Sequence, residues 1–292
     1  LVASDAESAR AVLDELFALA QRLDALFTVY DPESELSRLN RAVGRGPQSV
    51  DRELAEVLTL SKRYAQLTRG SFDVTVGPLV ELWKRAAARD RPPDADALAR
   101  ARQGVGSQHV VLYADGRVAL ARSGSSIDLG GIAKGYALDR MRRVLAEHGI
   151  RDALLDFGQS SSWALGRPLD APAWRLLARG PGDDLLGVLN LENRALSVSG
   201  SLGQWLTIGG RRYGHVLDPR SGQPLTRRRQ ALVVAPEAAL AEALSKALLV
   251  LGEREGLALV EAQAGCEGLL VDADGGAWRT GGWDAAVRFE PL

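Results

Sequence analysis

"SIDLGGIAKGYALDRMRRVLAEHGI", residues 126–150, passes from a short polar and apolar lead-in through a double glycine into a long helical pattern. Ala137, Met141, Val144 and Leu145 fall on one side at helical spacing, so the segment is predicted to be an amphipathic helix packed on a core. A glycine turn that opens into a helix N-terminus suits an anion, because free N–H groups converge there and the helix dipole favours negative charge. Lys134, just after Gly130-Gly131, is well placed to neutralise phosphate; taken alone it reads more often as a solvated helix lysine. Asp128 has two readings of its own, an acceptor for a cofactor's polar groups or a cap for the helix that follows.

Upstream, Glu7 to Phe27 repeats apolar residues at helical spacing (Val12, Leu16, Leu23), and so does Leu54 to Leu67, with Gly70 at a C-cap position. "SFDVTVGPLVELWKR" (71–85) opens with the alternation Phe72, Val74, Val76, expected to be a strand that Gly77-Pro78 turns. Residues 85–102 read as an exposed connection or a short helix, and "HVVLYADGRVALA" (109–121) as a hairpin around Asp115-Gly116. Beyond residue 150, short apolar segments separated by turns read as strands. Residues 235–263 then supply two helices and 265–283 another hairpin. Mixed order of strands and helices favours an α+β class over a regularly wound βαβ sheet, and the length suits one large domain over residues 1–292 or two closely joined halves.

Composition narrows the function classes. The 292 residues are 46% hydrophobic and 25% charged, as in a globular protein. The net charge of −1 gives no reason to expect a surface for nucleic acid or an anionic membrane, and Arg227-Arg228-Arg229 reads as a solvated loop. Cys266 stands alone, so neither an internal disulfide nor a cysteine metal cluster is expected. No stretch approaches the roughly 20 apolar residues of a membrane span, and the first residues carry no signal-peptide pattern.

Five segments, in order, resemble the ApbE-like flavin transferases (FAD:protein FMN transferases): "YDPESELSRLN" (30–40), "SFDVTVGPLVELW" (71–83), "SIDLGGIAKGYALD" (126–139), "HVLDPRSGQP" (215–224) and "AEALSKALLVLG" (241–252). The resemblance runs from about residue 7 to residue 285. It implies an α+β fold with a T-fold-like core of mixed sheets and packed helices. It also implies binding of FAD, scission of its pyrophosphate with Mg²⁺, and transfer of FMN to a Thr or Ser of a partner flavoprotein. A periplasmic location, often with a lipid anchor, comes with the family. By the same resemblance Tyr30, Ser71, Phe72, Asp73, Asp128, Lys134 and Val216 match FAD-contacting positions, and the Gly131 carbonyl matches a metal ligand. Locally, Tyr30 reads either as a ring that packs on a flavin or as core packing. His215, within the fourth segment, reads either as the catalytic group that takes a proton from an attacking hydroxyl or as a turn-stabilising histidine; His109 and His148 read as structural.

The chain departs from the family pattern at the metal. Where the family carries an Asp and a Thr one helical turn apart, this sequence has Glu242 and Lys246. The longer acid can still meet Mg²⁺, but a lysine ammonium has only donors and repels a cation. Either Lys246 swings away and the metal stays on Glu242, the Gly131 carbonyl, phosphates and waters, or the ammonium takes the metal's place and pairs with Glu242. The second is expected. Two further departures, "DFGQSS" (156–161) and "SVSGSLGQW" (197–205), accompany it. An FMN transferase is therefore the first reading, and a catalytically impaired FAD-binding or partner-binding relative, with Lys246 replacing the metal, the alternative.

Overall fold

Helical and strand patterning resolve, in a computed structural model, into a chain described at residues 1, 2, 5–182, 184–201 and 203–291. The first half holds α1 (Ala6–Phe27), α2 (Glu35–Arg41), α3 (Arg52–Leu67), α4 (Gly77–Ala88), α5 (Ala95–Gln103), β1 (Val110–Leu112), β2 (Val118–Leu120) and α6 (Ala133–Glu147). Strands follow: β3 (Ala153–Phe157), β4 (Ser161–Leu165), β5 (Trp174–Arg179), β6 (Leu185–Leu191), β7 (Arg194–Gly200), β8 (Trp205–Ile208), β9 (Arg211–Gly214) and β10 (Arg229–Ala235). The chain closes with α7 (Ala238–Glu261), β11 (Glu267–Asp272), β12 (Ala277–Arg279), α8 (Trp283–Val287) and β13 (Glu290–Pro291). Two compact units form from these pieces: the first takes Leu1–Arg22, Lys134–Gly200 and Arg228–Leu292, the second Leu23–Ala133 and Ser201–Arg227.

In the first unit an antiparallel sheet runs β12-β11-β10-β7-β4-β3. Because side chains alternate along a strand, its two faces can be read from the register. Leu196, Leu232, Val234, Leu269 and Val271 face one way, onto Leu189 and Leu191 of the β13-β6-β5 sheet and onto Trp283 and Val287 of α8. The opposite face carries small residues, Ser197 paired with Val233 and Val233 with Gly268, and α7 lies there. A Cβ on Gly268 would stand 3.3 Å from Leu248 of that helix, so glycine lets it sit close. From Ala238 to Leu249 the helix is apolar nearly all round and almost wholly buried, as a helix inside a core must be. At Gly252 (φ 79, ψ −167) the helix breaks, which makes the two helices expected for 235–263.

The start of α7 is seated on α6. Gly135 has no side chain where one would meet the Ala238 carbonyl oxygen at 2.5 Å. One turn further, the Asp139 carboxylate accepts the N–H groups of Ala238 and Ala239 at 2.8 and 2.9 Å and Trp163 Nε1 at 3.2 Å. Two N–H groups that a helix start leaves without an intrahelical partner are thus satisfied from a neighbouring helix.

The second unit corrects one expectation. Residues 71–76 are not a strand but a turn with a single bridge, Val76 to Ser126. The alternation fails because Ser71 to Thr75 are all buried: Asp73 Oδ1 accepts Thr75 N and Oγ1 at 2.8 and 2.6 Å, and Oδ2 accepts Ser107 N at 2.8 Å. Gly77-Pro78 begins α4 instead of simply turning the chain, proline being tolerated in a first helical turn. Residues 85–102 hold the end of α4 and, after Pro92-Pro93, most of α5, capped by Asp94. Trp83 of α4 donates Nε1 to the Gly222 carbonyl at 2.9 Å, and Gly222 (φ +75) packs where a Cβ would meet Leu98, Arg102 and Leu79.

Gly135→Ala is expected to destabilise the protein by roughly 1–3 kcal/mol through overpacking, read as a lower urea midpoint. Burial pushes the Asp139 carboxyl up from 3.8 to about 6 against the opposing N–H bonds. A value raised in the folded state gives stabilisation that is full below the unfolded value and lost as pH rises through about 6. Urea unfolding between pH 4 and 7 should show that decline in the wild type and not in Asp139→Asn.

Candidate active site

Glu242 and Lys246 lie on α7 in the first unit and are joined. The Glu242 side chain is 1% exposed; Oε2 pairs with the Lys246 ammonium and Oε1 accepts the Ser161 hydroxyl. Ser245, between them, donates to the Glu242 carbonyl at 2.9 Å and lies 3.0 and 2.8 Å from the hydroxyls of Ser197 and Ser199. The polar side of α7 is therefore matched to hydroxyls on β4 and β7, as buried polar groups require. Of the two outcomes open for Lys246, the structure has the ammonium on Glu242.

Lys134 enters the same cluster from the first turn of α6. Its ammonium donates to Ser160 Oγ, and Ser160 in turn donates to the Phe157 carbonyl at 3.2 Å. Burial pulls the Lys246 ammonium below the ordinary lysine range; the Glu242 carboxylate opposes that, and Lys134 adds a like-charge push in the same direction as burial. Two ammonium groups thus lie near one buried carboxylate, which Lys246 alone of the two holds directly. Sequence reading assigned no role to Ser160, Ser161, Ser245 or Asp139; only the unusual "DFGQSS" segment marked the place of the first two.

The other sequence-derived residues belong to the second unit. Tyr30 is 84% exposed, with Lys84 Nζ 5.4 Å from its ring centroid, which rules out core packing. Asp128 accepts Gly130 N at 2.8 Å and donates its own N–H to Val74, so it shapes the glycine turn that carries Gly131. Ser71 and Phe72 are buried, Ser71 Oγ bonding the Thr68 carbonyl at 2.7 Å, and Asp73 is committed to the scaffold as described. Asp73 also borders a cavity of about 630 Å³ whose lining includes Arg69, Arg102 and Arg220. His215 is exposed, its Nδ1 3.0 Å from the Gln204 carbonyl oxygen. A carbonyl only accepts, so Nδ1 carries the proton and Nε2 is the basic nitrogen. Val216 follows it, its carbonyl held by Leu225 N at 2.9 Å. Of the altered segment 197–205, Leu202 lies outside the described residues.

The model of the ApbE family matches residues 2–270. This chain belongs to the ApbE family. Among its relatives, the FAD:protein FMN transferase of Klebsiella pneumoniae (strain 342) is 29% identical over 289 residues, covering 96% of this chain and 82% of that protein. The protein of the same name from Treponema pallidum (strain Nichols) is 31% identical over 287 residues, 92% of this chain and 79% of its own. Among solved structures, the ApbE protein of Thermotoga maritima superposes with a TM-score of 0.87 at 28% identity, covering 96% of this chain and 92% of that one. The apo form of the Pseudomonas stutzeri flavinyl transferase ApbE gives 0.85 at 27%, covering 98% and 90%. The α+β class expected from sequence is the class of these ApbE structures.

The Mg²⁺ that the family resemblance implies does not fit the residues present in this ApbE chain. Both Glu242 oxygens are engaged, one of them by a cation, and Lys246 offers no lone pair. Among the described residues no group of three or more His, Cys, Asp or Glu could hold a metal ion. Removing one partner of the pair would strand a buried charge. Lys246→Met should therefore cost roughly 3–5 kcal/mol, and Glu242→Gln combined with it should recover most of that loss in a double-mutant cycle of urea midpoints.

Proposed function

We propose that this ApbE-family chain is an FAD:protein FMN transferase, which binds FAD and transfers FMN to a Thr or Ser hydroxyl of a partner flavoprotein. The observation that carries this reading is the Lys134 ammonium at the start of α6, in a chain that matches transferases of that name over most of its length. In the transfer, the acceptor oxygen bonds to the FMN phosphorus and the phosphorus–oxygen bond to AMP breaks. AMP leaves with the bonding pair, and the hydroxyl proton passes to a base.

Lys134 would neutralise the pyrophosphate, where a charge-assisted hydrogen bond is strongest. Asp128, whose Oδ1 shapes the glycine turn by holding Gly130 N, would contact FAD. Tyr30, whose ring is exposed, would pack on the flavin, and Val216 would contact the cofactor. Ser71, Phe72 and Asp73 are buried and would shape the flavin site from within the core. His215, through Nε2, would accept the acceptor's proton.

Incubation of the purified protein with FAD and an acceptor domain containing the target Thr or Ser should add the mass of FMN to the acceptor. Lys134→Ala should lower the rate by roughly 10- to 100-fold, the value of a charge-assisted hydrogen bond, and His215→Asn by roughly 10²-fold or more. FAD binding without any transfer would sink the enzyme reading and favour a non-catalytic flavin binder.

A further inference from the structure

Resting on the transferase reading, we propose that Lys246, held by Glu242, serves with Lys134 as a metal-free site for the FAD pyrophosphate. The ammonium stands in for the divalent cation, and FAD binding needs none. The pair differs from a surface ion pair in three ways. Glu242 is 1% exposed, so its carboxylate is oriented by fixed neighbours, Ser161 on one oxygen and Lys246 on the other. Lys246 keeps 21% of its side chain exposed, and its ammonium has three N–H donors of which Glu242 takes one. Lys134 is tied to Ser160, the residue next to Ser161. Two ammonium groups and one carboxylate leave surplus positive charge, and that surplus is where an anion with several oxygens is accepted.

A divalent cation added here would meet an ammonium already on the carboxylate oxygen it needs, and like charges exclude one another. A pyrophosphate meets the opposite: Lys246 can keep its bond to Glu242 while turning its remaining N–H donors to phosphate oxygens. The Ser161 bond matters because it stops the carboxylate from rotating to follow the lysine. On this reading Glu242 does not ligate at all. It positions the cation that does the work of the metal.

The test is FAD binding, which is independent of turnover. Purified protein is titrated with FAD, following flavin fluorescence, in buffer with EDTA and in buffer with Mg²⁺; Mg²⁺ alone is titrated by calorimetry. The Kd for FAD is expected to agree within about threefold in the two buffers, with no binding heat for Mg²⁺ alone. Glu242→Gln/Lys246→Gln, which leaves no unpaired charge in the core, should weaken FAD binding about tenfold or more in EDTA while keeping its circular dichroism. Glu242→Asp/Lys246→Thr should bind FAD about tenfold more tightly with Mg²⁺ than with EDTA. FAD binding by the wild type that requires Mg²⁺, or unchanged affinity in the Gln/Gln variant, overturns the inference and leaves the transferase reading standing. Absence of FAD binding in both buffers overturns the two together.

Discussion

The seating of α7 on α6 is the constraint on which the candidate site depends. Gly135 and Asp139 lie four residues apart on α6 and so on one face; the first gives the α7 start room and the second caps it. A helix rises about 1.5 Å per residue, so once Ala238 is fixed, Glu242 and Lys246 stand about one and two turns along a rigid rod. The same α6 carries Lys134 in its first turn. One helix contact therefore sets the relation between Lys134 and the Glu242–Lys246 pair.

What surrounds the pair is a matter of side-chain size. A helix as apolar as α7 belongs inside, and burying a carboxylate there is costly without partners. The small residues on the facing side of β4 and β7 solve this by bringing hydroxyls up to the helix: Ser161 to Glu242, Ser197 and Ser199 to Ser245. The other face of that sheet, with Leu196, Leu232 and Val234, packs on a second sheet and makes the core. One sheet thus has an apolar face for stability and a hydroxyl face for the site, and the alternation of β7 (Ala195, Leu196, Ser197, Val198, Ser199) carries both.

Much of the fold was legible because its elements have local causes. The two hairpins follow from Asp-Gly turns, and α1, α3 and α6 from apolar spacing. Residues 71–76 were misread because an Asp and a Thr that look solvent-facing in an alternating pattern satisfy each other in the interior. At the site, Lys134 was legible from the glycine turn that precedes it, and Glu242 and Lys246 from their helical register. Ser160 and Ser161 were not, since a serine pair at a turn looks the same whether or not a carboxylate lies opposite.

The sequence by itself determined the α+β class, the family, and the places of Lys134, Glu242 and Lys246 on helices. Those are properties of residue type and spacing, which the chain carries in any conformation. Only the tertiary structure decided that the Lys246 ammonium sits on Glu242 instead of swinging away. It also decided that Ser161 takes the second oxygen and that Tyr30 stands exposed. The physical reason is that the partners are far apart along the chain, 81 residues for Ser161 and Glu242, and meet only after β4 and α7 have packed.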